Sequence, residues 1–115
     1  MLKIELFPAD NGISTAVLRG ELIGTEVPDV TESLENVVTG EDGRLIIDLT
    51  ELSSLDSSGL AALIHLTNRA RLTGGKLMLV GPSPFVNGVF RTTRLDTWFD
   101  IAPDMRTARM KLAGD

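Results

Sequence analysis

The chain contains no cysteine, one histidine and one tryptophan in 115 residues, and its aromatic content is only 4%. Without cysteine there is neither a disulfide framework nor a thiolate metal site, and a lone histidine, His65, excludes a multi-histidine centre. No stretch approaches the roughly 18 uninterrupted apolar residues of a membrane span. The start, Met1-Leu2-Lys3-Ile4-Glu5, lacks the charged-then-apolar layout of a signal peptide. These absences predict a cytoplasmic protein with no membrane insertion, no metal and no cofactor. Clustered positive charge is also missing. The net charge of −5 argues against nucleic acid as a partner, because phosphate backbones are bound mainly through grouped Lys and Arg.

What is present suits one domain spanning residues 1–115, since 43% hydrophobic content can build a single core. The charge is unevenly spread. Gly20 to Asp56 holds ten acidic residues against Arg44 alone, whereas His65 onward holds eight basic against four acidic. This asymmetry is that of a solvated acidic helix face with acidic loops, or of a face steering a basic partner.

Two β-branched runs, Leu2 to Phe7 and Gly12 to Leu18, flank the turn-forming Pro8-Ala9-Asp10-Asn11 and predict a hairpin. Val27, Val30, Leu34, Val37 and Val38 recur at spacings of three and four, predicting a half-buried acidic helix with Thr25 as its N-cap. Arg44 to Leu49 and Lys76 to Val80 are apolar runs expected of strands covered on both faces. Between them, Gly59 to Leu72 has helical periodicity and stops at Thr73-Gly74-Gly75, so the unit reads as a parallel strand–helix–strand crossover. After Pro82-Ser83-Pro84 come a short helix from Phe85 to Arg91, an edge strand at Trp98 to Ile101 and a helix from Pro103 to Leu112. The fold class is α/β: a mixed sheet with an N-terminal hairpin and later parallel strands, and about four helices gathered on one side.

The loop leaving Leu49 lies at the C-terminal end of a parallel strand, where function usually sits, and carries Asp56-Ser57-Ser58-Gly59 into a helix. A helix start offers unpaired N–H groups and the positive end of a dipole, which suit an N-cap or a phosphate. Taken alone, the tetrapeptide fits the plain cap better.

Catalytic patterns are absent. A P-loop ending at Gly75-Lys76 needs a glycine where Ala70 stands and a hydroxyl where Leu77 stands. A nucleophile elbow needs glycine where Leu55 precedes Ser57 or Asp56 precedes Ser58. His65 lies eight helical residues from Ser57, about 12 Å, beyond the reach of a general base. Asp48, Glu51 and Asp56 read as capping and turn residues rather than an acid–base or magnesium cluster.

The block Ile46 to Leu49, Leu52-Ser53 and Leu55 to Leu60 resembles the STAS family, and within it the bacterial anti-sigma-factor antagonists. The similarity continues through Gly20-Glu21-Leu22, Gly74-Gly75-Lys76-Leu77 and Pro82-Ser83-Pro84-Phe85-Val86 to Phe90, in order along the chain. The resemblance implies a non-enzymatic binding module, a monomer or weak dimer, whose partner is an anti-sigma factor that is also a serine kinase. It nominates Ser57 as the phosphorylated residue, with Ser58 as fallback, and a phosphatase that restores the unmodified form. It implies a partner surface of Leu22, Ile23, Gly24, Thr25, Leu55, Asp56, Ser57, Ser58, Gly59, Ala61 and Ala62. Relatives commonly carry Asp after Gly-Glu-Leu, and here that residue is Ile23, which leaves a second reading: a non-phosphorylated scaffold or accessory subunit, of a stress-signalling complex or a lipid transporter.

Overall fold

The apolar runs at Arg44–Asp48 and Lys76–Val80 lie side by side as parallel strands at the centre of a six-stranded mixed sheet. A computed structural model describes residues 1–113. Along the chain are β1 (Leu2–Asp10), β2 (Ile13–Leu22), a single 3-10 turn (Gly24–Glu26), α1 (Val27–Val38), β3 (Arg44–Asp48) and β4 (Leu52–Leu55). Then follow α2 (Ser57–Thr73), β5 (Lys76–Val80), α3 (Pro84–Thr92), β6 (Ile101–Ala102) and α4 (Met105–Ala113). The sheet order is β1-β2-β3-β5-β6, with β4 also paired to β2. Among the described residues β1 and β2 pair antiparallel and the other pairs are parallel.

Alternation along the central strands explains the layers. Leu45, Ile47, Leu77 and Leu79 face one cluster together with Leu34 of α1, Leu63 and Leu66 of α2 and Phe90 of α3. Ile46, Met78 and Val80 face the other, with Ala108 and Leu112 of α4. Both faces are therefore covered, and the expectation of helices on one side is corrected: α4 crosses to the opposite face, because the β-strand period of two leaves the intervening residues as apolar as their neighbours.

Several boundaries also differ from the sequence reading. The hairpin turns at Asn11-Gly12, both at positive φ (54° and 81°), rather than at Pro8–Asn11. Pro8 instead lies in β1, an edge strand that tolerates its missing N–H, beside an irregularity in the ladder between Phe7 and Asp10. Thr25 caps nothing: the chain makes the 3-10 turn first, and α1 starts after Glu26 with no side-chain cap bond. The edge strand shrinks to Ile101–Ala102, because Trp98 and Phe99 fold back to donate backbone hydrogen bonds to Leu95, and the Phe99 ring packs 5.0 Å from that of Phe90. A further parallel segment, β4, lies where a loop was expected.

The α2 terminus follows its sequence signal. Gly74 adopts φ 84°, and its N–H and that of Gly75 both donate to Ala70 O. The Thr73 hydroxyl accepts from Gly40 N and donates to Arg69 O, fastening α2 to the loop after α1. Higher up, Glu35 of α1 meets His65 at 2.9 Å and Arg69 at 3.6 Å, so His65 serves as a surface link between helices.

Phe90 is fully buried, with its ring tilted 54° against that of Phe99. Phe90→Ala is expected to cost about 3–5 kcal/mol, read as a lower urea midpoint with unchanged slope.

Candidate functional site

The site begins with a strand that serves two neighbours in tandem. The first half of β2, Ser14 to Val17, pairs with β3, and the second half, Gly20 to Leu22, pairs with β4. Between β3 and β4 the chain turns at Asp48, whose Oδ1 accepts from Thr50 N at 2.9 Å and Thr50 Oγ1 at 2.7 Å. Along β4 the register slips: Gly20 faces Leu52, whereas Glu21 faces Ser54. Ser53 is the extra residue of this bulge, and its hydroxyl donates to Gly20 O at 2.9 Å. The slip lets Leu52 and Leu55, three residues apart, both enter the core.

Asp56 follows as the N-cap of α2. Its Oδ1 accepts from Gly59 N at 2.9 Å and its Oδ2 from Gly24 N at 3.0 Å. Its own N–H donates to Leu22 O at 3.3 Å. One carboxylate thus holds the start of α2 and the turn after β2 together. The backbone donors, Gly24 foremost and then Gly59, hold the Asp56 carboxyl below its ordinary range. Gly59 is required by proximity: a Cβ there would lie 2.2 Å from Leu22 O and 2.9 Å from Leu22 Cγ.

Ser57 and Ser58 are the first two residues of α2 and both are exposed. Neither hydroxyl makes a hydrogen bond among the described residues. Around them, Ile23 (36% exposed), Gly24, Thr25, Asp56 and Ala61 also face solvent. Leu22, Leu55, Gly59 and Ala62 do not: they are buried, and they shape this surface from beneath instead of lining it. The carboxylates Asp48, Glu51 and Asp56 share no centre, since Asp48 closes its own turn, Glu51 pairs with Arg19 at 3.1 Å and Asp56 caps α2. The Gly24 N–H is the element that local sequence gave no sign of. It meets Asp56 across 32 residues, and no spacing rule reaches that far.

A mixed sheet covered on both faces, with a capped carboxylate and two free hydroxyls where a parallel strand passes into a helix, defines an α/β domain of the STAS type. The family model described as STAS domain matches residues 7–108, and the chain belongs to that family. It is 31% identical over 100 residues to an anti-sigma-B factor antagonist of Listeria monocytogenes, covering 87% of this chain and 88% of the relative. Among solved structures, an anti-sigma factor antagonist from Mycobacterium paratuberculosis superposes with a TM-score of 0.82 at 24% identity, covering 96% of this chain and 93% of that one. The Bacillus cell fate determinant SpoIIAA in its phosphorylated form gives 0.72 at 21% identity, covering 96% and 99%. These structures share the fold.

Gly59→Ala is expected to destabilise by about 1–3 kcal/mol, because Leu22 O is backbone and cannot swing aside; thermal unfolding measures it. Asp56, with its lowered pKa, contributes stability above the ordinary carboxylate pKa of about 3.9 and loses it as pH falls through its own lower value. Asp56→Asn should therefore lower Tm at pH 7, with the gap to wild type closing in acid below about pH 4.

Proposed function

We propose that the protein is an anti-sigma-factor antagonist, a regulatory binding protein that captures an anti-sigma factor and thereby releases a sigma factor. The proposed contact surface is the exposed set Ile23, Gly24, Thr25, Asp56, Ser57, Ser58 and Ala61. The proposed switch is phosphorylation of Ser57, with Ser58 as fallback, by a partner that is also a serine kinase. A phosphatase resets it. The reading is supported by the Listeria relative, which bears the name of such an antagonist, and by the phosphorylated state in which the Bacillus structure is described. Among the described residues no helix is long and apolar enough to cross a membrane. The proposed action is cytoplasmic.

One observation carries the switch: the Ser57 hydroxyl is exposed, unengaged and the first helical residue after a fixed carboxylate. A kinase moves the γ-phosphoryl of ATP to this oxygen, and ADP leaves. The product adds about −1.5 to −2 charge at neutral pH. At a helix start that charge is welcomed by the N-terminal dipole, so the domain stays folded. A partner surface fitted to a small neutral hydroxyl next to Asp56 meets instead a bulky dianion. Each 1.4 kcal/mol of such mismatch is tenfold in affinity.

Ile23 favours a second reading, a scaffold that holds its partner constitutively. It is apolar, exposed and adjacent to the Gly24 N–H that Asp56 grips, which is the place of a contact residue rather than of an acidic aid to phosphorylation.

Pull-down and affinity measurement with the native anti-sigma factor separate the two. Ser57→Asp is expected to bind at least tenfold more weakly, with Ser57→Ala close to wild type, and mapping after kinase and ATP should find phosphate on Ser57. Equal binding by both variants would reject the switch and leave the scaffold.

A further inference from the structure

The last strand of the sheet is too short to cover its neighbour. β6 pairs with Leu79 and Val80 of β5, so Leu77 and Met78 lie beyond its end on that edge. α2 and α4 pack on opposite faces of the sheet and both flank this gap. The result is a cavity of about 640 Å³ at the N-terminal end of β5, the end of the sheet away from Ser57. Its size falls in the range of roughly 300–1,000 Å³ usual for small-molecule sites.

Its wall holds a buried polar group with nothing to do. Thr67 is 1% exposed and lines the cavity, yet its Oγ1 has no hydrogen-bond partner among the described residues. A helical threonine can return its hydroxyl to the carbonyl four residues back, as Thr73, the last residue of α2, does at 2.6 Å. Buried hydroxyls left unmet are costly and uncommon.

The rim adds charge of one sign. In a chain of net charge −5, Arg71, Lys76 and Lys111 all line this cavity, with Asp100 the carboxylate among its lining residues and Lys76 engaged by a partner of its own. Asp100 lies 3.8 Å from Arg71, which is also stacked on Trp98, and Lys111 has no ion-pair partner among the described residues. The remaining lining is largely apolar, with Met78 within and Met110, 66% exposed, at the edge.

We propose that this cavity binds a small organic anion of two-ended polarity. A carboxylate meets the cationic rim, an apolar body lies along Met78 and Met110, and a hydroxyl at the far end meets Thr67. The proposal stands apart from the Ser57 reading, since it uses the opposite end of the sheet.

Amide chemical-shift titration of the isotope-labelled protein tests it with three probes: 4-hydroxybenzoate, benzoate and 4-hydroxybenzyl alcohol. Saturable shifts are expected around Thr67, Lys76 and Lys111, tightest for 4-hydroxybenzoate and at least tenfold weaker for the uncharged alcohol. Lys111→Glu, on an exposed side chain, should weaken 4-hydroxybenzoate about tenfold. Thr67→Val should reduce 4-hydroxybenzoate to the affinity of benzoate, and Thr67→Ser should retain the difference. No saturable shift with any probe at millimolar concentration would overturn the proposal. So would shifts centred elsewhere, equal binding of the alcohol, or indifference to Lys111→Glu.

Discussion

The grip of one carboxylate on two backbone N–H groups organises the functional end of this molecule. Asp56 reaches Gly59 within its own helix and Gly24 across 32 residues, so the first turn of α2 and the turn leaving β2 behave as one body. Both donors are backbone, hence their positions follow from the fold and not from rotamer choice. The close contact beneath, where Gly59 lies against Leu22 O, sets the depth at which the helix docks. An exposed hydroxyl is thereby presented from a mount whose underside, Leu22, Leu55, Gly59 and Ala62, is buried.

The sheet supplies that rigidity through its two covered faces. Residues of β3 and β5 alternate between the cluster under α1, α2 and α3 and the smaller cluster under α4, leaving no polar face on the central strands. The helices facing solvent carry the charge, and Glu35 links α1 to α2 through His65 and Arg69. The hydrogen bond from His65, with the charge of Arg69 nearby, holds the Glu35 carboxyl below its ordinary range.

Legibility in the sequence followed the range of the interactions. The runs Arg44–Asp48 and Lys76–Val80 were readable as central strands, because burial on both faces demands unbroken apolar residues. The end of α2 was readable too, since the left-handed turn at Gly74 needs glycine. β4 was hidden because its bulge breaks the period of two that identifies strands; Leu52-Ser53-Ser54-Leu55 has the apolar spacing of a helix or a loop. The side taken by α4 was equally hidden, as an amphipathic stripe tells which residues are buried but not on which sheet face. Ser57 and its neighbours were nominated by the family resemblance, since the tetrapeptide alone fits a plain cap, and the split into exposed Ile23 and Ala61 and buried Leu22, Leu55 and Ala62 needed the tertiary packing.

The bulge at Ser53 also divides the kinds of change this segment can absorb. Because the extra residue sets the phase between the pleat of β4 and the rotation of α2, chain length from Asp48 to Asp56 is a more stringent quantity than side-chain identity. Substitutions at exposed Ser53 leave that phase alone. An insertion or deletion of one residue would turn Leu55 outward and carry Asp56 away from Gly24 in the same stroke. Descendants of this fold can therefore vary the chemistry of the presented surface while the spacing that presents it stays constant.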